Sequence, residues 1–223
     1  MLMIKFDLLK FKNLIQYKHK GIIMLIEKIG LKSSRNPNIF IVEVSGEKYI
    51  LHSEIIVKYG LATNGGIDQD KLNEVVFESD VMIATNLAMN YVSNKLITTK
   101  QLKDYLRGKG YKSNVITKVI DKFNEYGVLN DENFATSYVN IKQHNLSKRA
   151  IEQKLMQKGV NKDIAKNCLE EFDDYEVAIR TVEKFMKTKE YTEENITKLL
   201  RHLSYKGFDY ETINKVVGYL KNN

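Results

Sequence analysis

Between Lys142 and Lys166 the chain carries seven basic side chains (Lys142, Lys148, Arg149, Lys154, Lys158, Lys162, Lys166) against two acidic ones, Glu152 and Asp163. This local charge of +5 is followed at once by the acidic run Glu170, Glu171, Asp173, Asp174 and Glu176. Segregated charge of one sign concentrates an oppositely charged partner, so the chemistry on offer is recognition of a polyanion or of an acidic protein surface. Lys142, Lys148, Arg149, Lys154 and Lys158 are the candidate partner-binding residues. The competing reading of the same stretch is a solvated helix face.

Catalytic chemistry is not assembled elsewhere. His19, His52, His144 and His202 share no ligand spacing, and His202 falls at a helix position held by Tyr105 and Lys154 in equivalent segments, which reads as a solvated surface site. Gly60 to Gly66 lacks the lysine that follows a phosphate-cradling loop, and Gly108-Lys109-Gly110 closes a helix rather than opening one. Asp68, Asp70 and Glu74 have the carboxylates of a calcium loop without its glycine, so helix capping is the reading there. The acidic run reads as a solvated linker between two modules. Cys168, the single cysteine, excludes an internal disulfide and takes a core position, where a thiol behaves as a small hydrophobe. No catalytic residue, metal or cofactor is expected, and the chain reads as a non-enzyme.

The elements that must position the basic residues are written in an internal repeat. Leu102, Leu106, Gly110, Val115, Val119, Ile120 and Phe123 recur 49 positions later as Ile151, Leu155, Gly159, Ile164, Cys168, Leu169 and Phe172. After another 48 positions they return as Leu199, Leu203, Gly207, Thr212, Val216, Val217 and Leu220, with Thr212 the one polar exception. A fixed period of this length marks stacked supersecondary units that share their cores with neighbours. In each unit two short amphipathic helices flank the glycine, which ends the first helix in a left-handed turn. Ser113, Asn161 and Asp209 then cap the second helix. A third helix precedes each pair; in the middle copy Asp131 is expected to cap a helix carrying Phe134, Ala135, Tyr138 and Ile141, with Leu129 stapling its entry.

The first 78 residues have another texture. Ile22 to Ile29 is rich in β-branched residues, Ile39 to Val44 alternates, and Ser45-Gly46-Glu47 separates the latter from Tyr49 to Leu51, the pattern of a small hairpin sheet. Ser53 begins a short helix ending at Gly60, and Asp68 caps another through Leu72, Val75 and Val76. Residues 1–20 hold five lysines against one aspartate, +4 of the formal +7, and Met24 is a second candidate start, which would reduce the net charge toward +3. The expected organisation is a non-native or disordered extension over 1–22, a strand-rich region over 23–78, and three-helix repeats over 79–127, 128–174 and 175–223. The fold class is therefore mainly α: three tandem helix-turn-helix-like repeats in an elongated curved array behind a small β-hairpin region. With 43% hydrophobic residues, a single proline and no apolar run long enough to span a bilayer, a cytoplasmic helical protein without a membrane partner is expected.

Helix pairs of this kind raise DNA reading as a function, yet the second helix of each pair carries acids rather than base-reading groups: Asp121 and Glu125, then Asp163, Glu170 and Glu171, then Asp209 and Glu211. The run Asn130-Asp131-Glu132-Asn133-Phe134-Ala135, then Ser147-Lys148, then Leu155-Met156-Gln157-Lys158-Gly159-Val160, resembles the central signature of the RecX regulatory proteins. The three repeats and the preceding strand-rich region extend the resemblance over about residues 23 to 223, as in Gram-positive members. The chain departs from the family in lacking an arginine-rich first helix in the middle repeat, where it has Asn140, Lys142 and Gln143.

The resemblance implies a monomeric bacterial modulator that binds the RecA filament on single-stranded DNA. Such a protein inhibits RecA ATPase, strand exchange and the SOS co-protease activity, with at most weak non-specific contact to single-stranded or duplex DNA. The alternative is a helical DNA-binding protein acting without RecA.

Overall fold

The computed structural model describes residues 23–221. The extension expected over residues 1–22 lies outside the described residues; Met24 opens the first strand. Two compact units are present, one built by residues up to 91 with 110–119, the other by 92–109 with 120 onward.

In the first unit β1 (Met24–Leu31), β2 (Ile39–Val44), β3 (Glu47–His52) and β4 (Gly66–Ile67) form one sheet of order β3-β2-β1-β4. Ser45 and Gly46 both have positive φ, 47° and 82°, which gives the two-residue β2–β3 turn the twist of the strands it joins. Register follows the turn, with Val44 opposite Glu47 and Val42 opposite Tyr49. Val42, Val44, Leu51 and Ile26 face inward against Ile55, Leu72 and Val75. Helix α1 (Ser53–Lys58) is capped by buried His52, whose Nδ1 accepts the Glu54 amide at 3.3 Å, while the His52 amide donates to buried Ser79 Oγ at 2.8 Å. Asp68 caps α2 (Gln69–Val92) by accepting the Lys71 amide at 2.8 Å, as its spacing predicts. However, α2 runs on past Val76 as one 24-residue helix, Gln69–Val92, so no break separates the strand-rich region from the first repeat.

The remaining elements are α3 (Thr99–Gly108), α4 (Ser113–Glu125), α5 (Asp131–Lys142), α6 (Lys148–Gln157), α7 (Lys162–Asn167), α8 (Asp174–Met186), α9 (Glu193–Tyr205) and α10 (Tyr210–Lys221). Leu106, Leu155 and Leu203 are each 0% exposed, as the repeat register requires. Gly110, Gly159 and Gly207 end α3, α6 and α9 at φ of 88°, 92° and 90°, the left-handed region that a side chain resists. The exception Thr212 is nearly buried, its amide bonded to Asp209 Oδ1 at 2.8 Å. Ser113, by contrast, is the first residue of α4 rather than its cap.

Two expectations for the middle repeat are corrected. The cap of α5 is Asn130, which accepts the Asn133 amide at 2.9 Å; Asp131 is the first helical residue. Its carboxylate is committed elsewhere, accepting the Thr99 amide at the start of α3 at 2.8 Å. Ile141 is 66% exposed, because α5 buries the stripe through Phe134, Ala135 and Val139 and leaves the adjoining stripe half-wet.

The Asp131 contact belongs to a junction that appears twice. Thr98 Oγ1 donates to the Lys158 carbonyl at 2.6 Å, and Gly159 lies so close to the Lys100 side chain that a Cβ would collide with it. One repeat further on, Asp174 accepts the Lys148 amide at 2.7 Å and the Ser147 amide reaches the Lys206 carbonyl at 3.3 Å. There a Cβ on Gly207 would stand 2.8 Å from Ala150 and Ser147. Each glycine thus serves both a left-handed turn and a close approach, except Gly110, whose Cβ position meets nothing within 4 Å.

Leu106→Ala, Leu155→Ala and Leu203→Ala should each cost about 2–5 kcal/mol in denaturant unfolding. Gly110→Ala should cost only the left-handed strain, about 1–2 kcal/mol. Gly159→Ala and Gly207→Ala should exceed it, because they add a collision; equal losses at the three glycines would refute the junction geometry.

Candidate functional site

The basic stretch is carried mainly by α6. Its start is fixed by Ser147, whose Oγ accepts the Ala150 amide at 3.2 Å, and its apolar side by Ile151 and Leu155, both fully buried. With the period of 3.6, this leaves Arg149, Gln153, Lys154 and Gln157 on the open side. They form one wall of a groove of about 540 Å³ whose other wall is Ser204, Tyr205, Gly207 and Phe208 from the end of α9. Arg149 stands near enough to Asp209 to help lower that carboxyl, though the larger cause is the Thr212 amide bonded to it.

The five candidate residues do not make a single patch. Arg149 and Lys154 share the α6–α9 groove. Lys142 and Lys158 are brought together over the Tyr138 ring, at 6.0 and 5.6 Å from its centroid, and both are half-buried. Tyr138 itself is half-buried, and that burial pushes its hydroxyl pKa up. Lys148 lines a separate hollow with Glu152, Lys166, Asn167, Leu169 and Glu170, a mixed-charge setting. The two freely exposed cations of the set are Arg149 and Lys154.

A second group of cations, on the third repeat, has no counterpart among those candidates. Lys189 Nζ lies over the Phe185 ring at 3.3 Å, and the same ring meets the His202 imidazole with centroids 5.2 Å apart. His202 is therefore packed and half-buried, not a solvated surface residue. Burial first, then the charges of Lys206 and Lys189, hold its pKa below the ordinary histidine value. Lys206 is likewise lowered by burial and then by Lys184. Its ammonium donates to the Asn145 carbonyl at 2.7 Å, tying the end of α9 to the loop before α6. This cluster was hard to see in the sequence because its members are spread from 184 to 206 and meet only when α8 and α9 pair. The one available signal was the run Lys184, Lys187, Lys189 at the end of α8.

Cys168 is half-buried, more open than a core position implies, with its Sγ 3.6 Å from Thr136 Oγ1. Among the described residues no group of histidine, cysteine and carboxylate side chains is disposed to hold a metal, and no helix is long and apolar enough to cross a membrane. What the surface can do is attract and hold negative charge.

Models of a known family match all three repeats: the first three-helix domain of RecX over residues 84–123, the second over 130–169 and the third over 173–217. A regulatory protein RecX from Clostridium perfringens (strain 13 / Type A) is 32% identical over 178 residues, 77% of this chain and 84% of that protein. One from Caldanaerobacter subterraneus subsp. tengcongensis is 30% identical over 196 residues, 87% of this chain and 98% of its own. Among solved structures, RecX from Lactobacillus salivarius superposes with a TM-score of 0.57 at 27% identity, covering 65% of this chain and 98% of that one. A further regulatory protein RecX, at 17% identity, shares the fold with a TM-score of 0.61 over 86% of this chain and 97% of its own.

The depressed pKa of His202 fixes the sign of a pH effect. Just below about pH 6.5 the unfolded chain binds a proton at this residue that the folded chain resists, so stability falls as the pH drops through that window. Unfolding midpoints compared between about pH 7.5 and about pH 5.5 should show a smaller acid loss for His202→Gln than for the unmodified protein. An equal or larger loss in the variant would contradict the packing on Phe185.

Proposed function

The chain belongs to the RecX family, whose relatives named above are regulatory proteins, and from that premise we propose that it binds the RecA filament on single-stranded DNA and restrains its activities. Those activities are ATP hydrolysis, strand exchange and the SOS co-protease function. The observation that supports this reading is the exposed cationic side of α6, a helix whose start is fixed by its own Ser147 cap and by Asp174 of the next helix pair. Arg149 and Lys154 supply the most accessible charge; Lys142 and Lys158 beside Tyr138 form a second contact, and Lys148 lies at the repeat junction. Inhibition needs no chemistry: a protein bound along the filament opposes the protomer movements that accompany hydrolysis.

Sequence-specific DNA reading without RecA is disfavoured by α7. A recognition helix must lay several side chains along the major groove. The helix in that position of the middle repeat is six residues long, capped by Asn161, with Asp163 in its first turn.

Charge reversal at Arg149 and Lys154, both exposed, should weaken inhibition of RecA ATPase by about tenfold, with the melting temperature nearly unchanged. Reversal at Lys142 and Lys158 should also weaken it, with some loss of stability because both side chains pack on Tyr138. The protein should pull down with RecA on single-stranded DNA, and the interaction should weaken as salt rises through about 150 mM. Full inhibition by the folded Arg149→Glu, Lys154→Glu variant would relocate the site, and tight sequence-specific duplex binding without filament preference would replace the reading altogether.

A further inference from the structure

The cations of the second and third repeats are neighbours across one junction. Lys206 links them: its carbonyl accepts the Ser147 amide at the start of α6, and its ammonium reaches the Asn145 carbonyl. On one side of this link lies the groove with Arg149 and Lys154. On the other lie His202, Lys184 and Lys189.

Tyr205 stands between the two. At about 100° per residue, α9 points it between Ser204, on the groove side, and His202, on the cationic side. Its ring is 90% exposed, so its face is open to a partner, and unlike the other exposed tyrosines it lines the groove that holds Arg149 and Lys154. An exposed aromatic flanked by cations is the arrangement by which single strands are held, phosphates by the cations and a base face by the ring.

We propose that the junction of the second and third repeats binds the backbone of a single nucleic-acid strand, with Arg149 and Lys154 on phosphates at one end, Lys184 and Lys189 on phosphates at the other, and Tyr205 stacked on a base between them. The site goes beyond the filament reading and does not depend on it, since it engages the strand with no RecA present. Two further features support it. Burial first, and then neighbouring lysines, depress His202 and Lys206, so the like charges gathered here gain from an incoming anion. The groove wall also offers Gln153, Gln157 and Ser204, which can donate to phosphate or base without selecting a sequence.

The test measures fluorescence anisotropy of a labelled oligothymidine of roughly 20 nucleotides with the full chain alone, from about 50 to about 200 mM salt. Tyr205→Ala should weaken binding by about tenfold, while Tyr205→Phe, which keeps the ring, should retain it. Combining Lys184→Ala with Lys189→Ala should reduce the steepness of log affinity against log salt by about 1.4, roughly 0.7 for each phosphate that the variant no longer neutralises. Lys28→Ala, on the strand-rich unit, should change neither quantity. Thermal melts of each variant confirm folding, which exposed Tyr205 does not support. No binding of the bare strand at the lowest salt, or equal affinity of Tyr205→Ala, would overturn the proposal. So would a loss in these variants that appears only against RecA filaments, which would assign the surface to an acidic protein face. Failure of filament binding with bare-strand binding intact would instead count against the regulatory reading alone.

Discussion

The free amides at the start of a helix set the organisation of the repeats. An α-helix leaves its first N–H groups without intrahelical partners, and a buried helix start must find acceptors for them. In α3 and α6 the acceptors come partly from the next repeat. Asp131 takes the Thr99 amide and Asp174 takes the Lys148 amide, each a charge-assisted bond at 2.7–2.8 Å. Around each, the Lys-Gly turn of the following helix pair closes on the same helix start through a carbonyl and a glycine that leaves no room for a Cβ. Thr98 and Ser147 are consequently 0% exposed despite being polar. Neither repeat satisfies that helix start without its successor.

This constraint decides which surface is left for a partner. Because Asp174 occupies the start of α6, the positive end of that helix is already used, and the attraction for anions shifts to side chains further along: Arg149, Lys154 and, across the groove, the end of α9. The same junction raises the Asp174 pKa through burial, with Asp209 and Asp173 adding to the rise and the Lys148 amide opposing it. The acid that looks like part of a solvated linker is therefore a structural contact between repeats, and the cations that remain exposed are those the junction does not need.

The fold was legible because its signals are periodic. Apolar register, turn glycines and the β2–β3 hairpin all follow from local stereochemistry, so Leu106, Leu155, Leu203, Gly159 and Gly207 could be placed from spacing alone. Contacts between repeats were not, because they have no period within one unit. Asp131 looks like a cap for its own helix in any window of ten residues, yet its partner is 32 positions away. The candidate site was half legible for the same reason. Arg149 and Lys154 are close in sequence and on one helix side, whereas Tyr205, His202 and Lys184 join them only through the pairing of α8 with α9 and the docking of α9 on α6. Ile141 and Cys168 were misjudged because helix periodicity locates an apolar stripe to within one residue row, and the neighbouring row is half-wet.

The first repeat shows which part of the repeated pattern serves the junction. Asp80 precedes Ile83-Ala84 as Asp131 precedes Phe134-Ala135 and Asp174 precedes Val177-Ala178, and all three alanines are 0% exposed. Asp131 and Asp174 sit at helix starts and spend their charge on a neighbour's amide. Asp80 lies inside α2, where burial raises its pKa and the charge of Lys112 only partly opposes the rise. Gly110, the matching turn, likewise closes on nothing. Among the described residues the strand-rich elements, not another repeat, precede the first copy, so it keeps the residues of the junction with no such helix start to receive them. The alanine therefore belongs to packing within a repeat, and the aspartate and the close approach of the glycine belong to the bond between repeats.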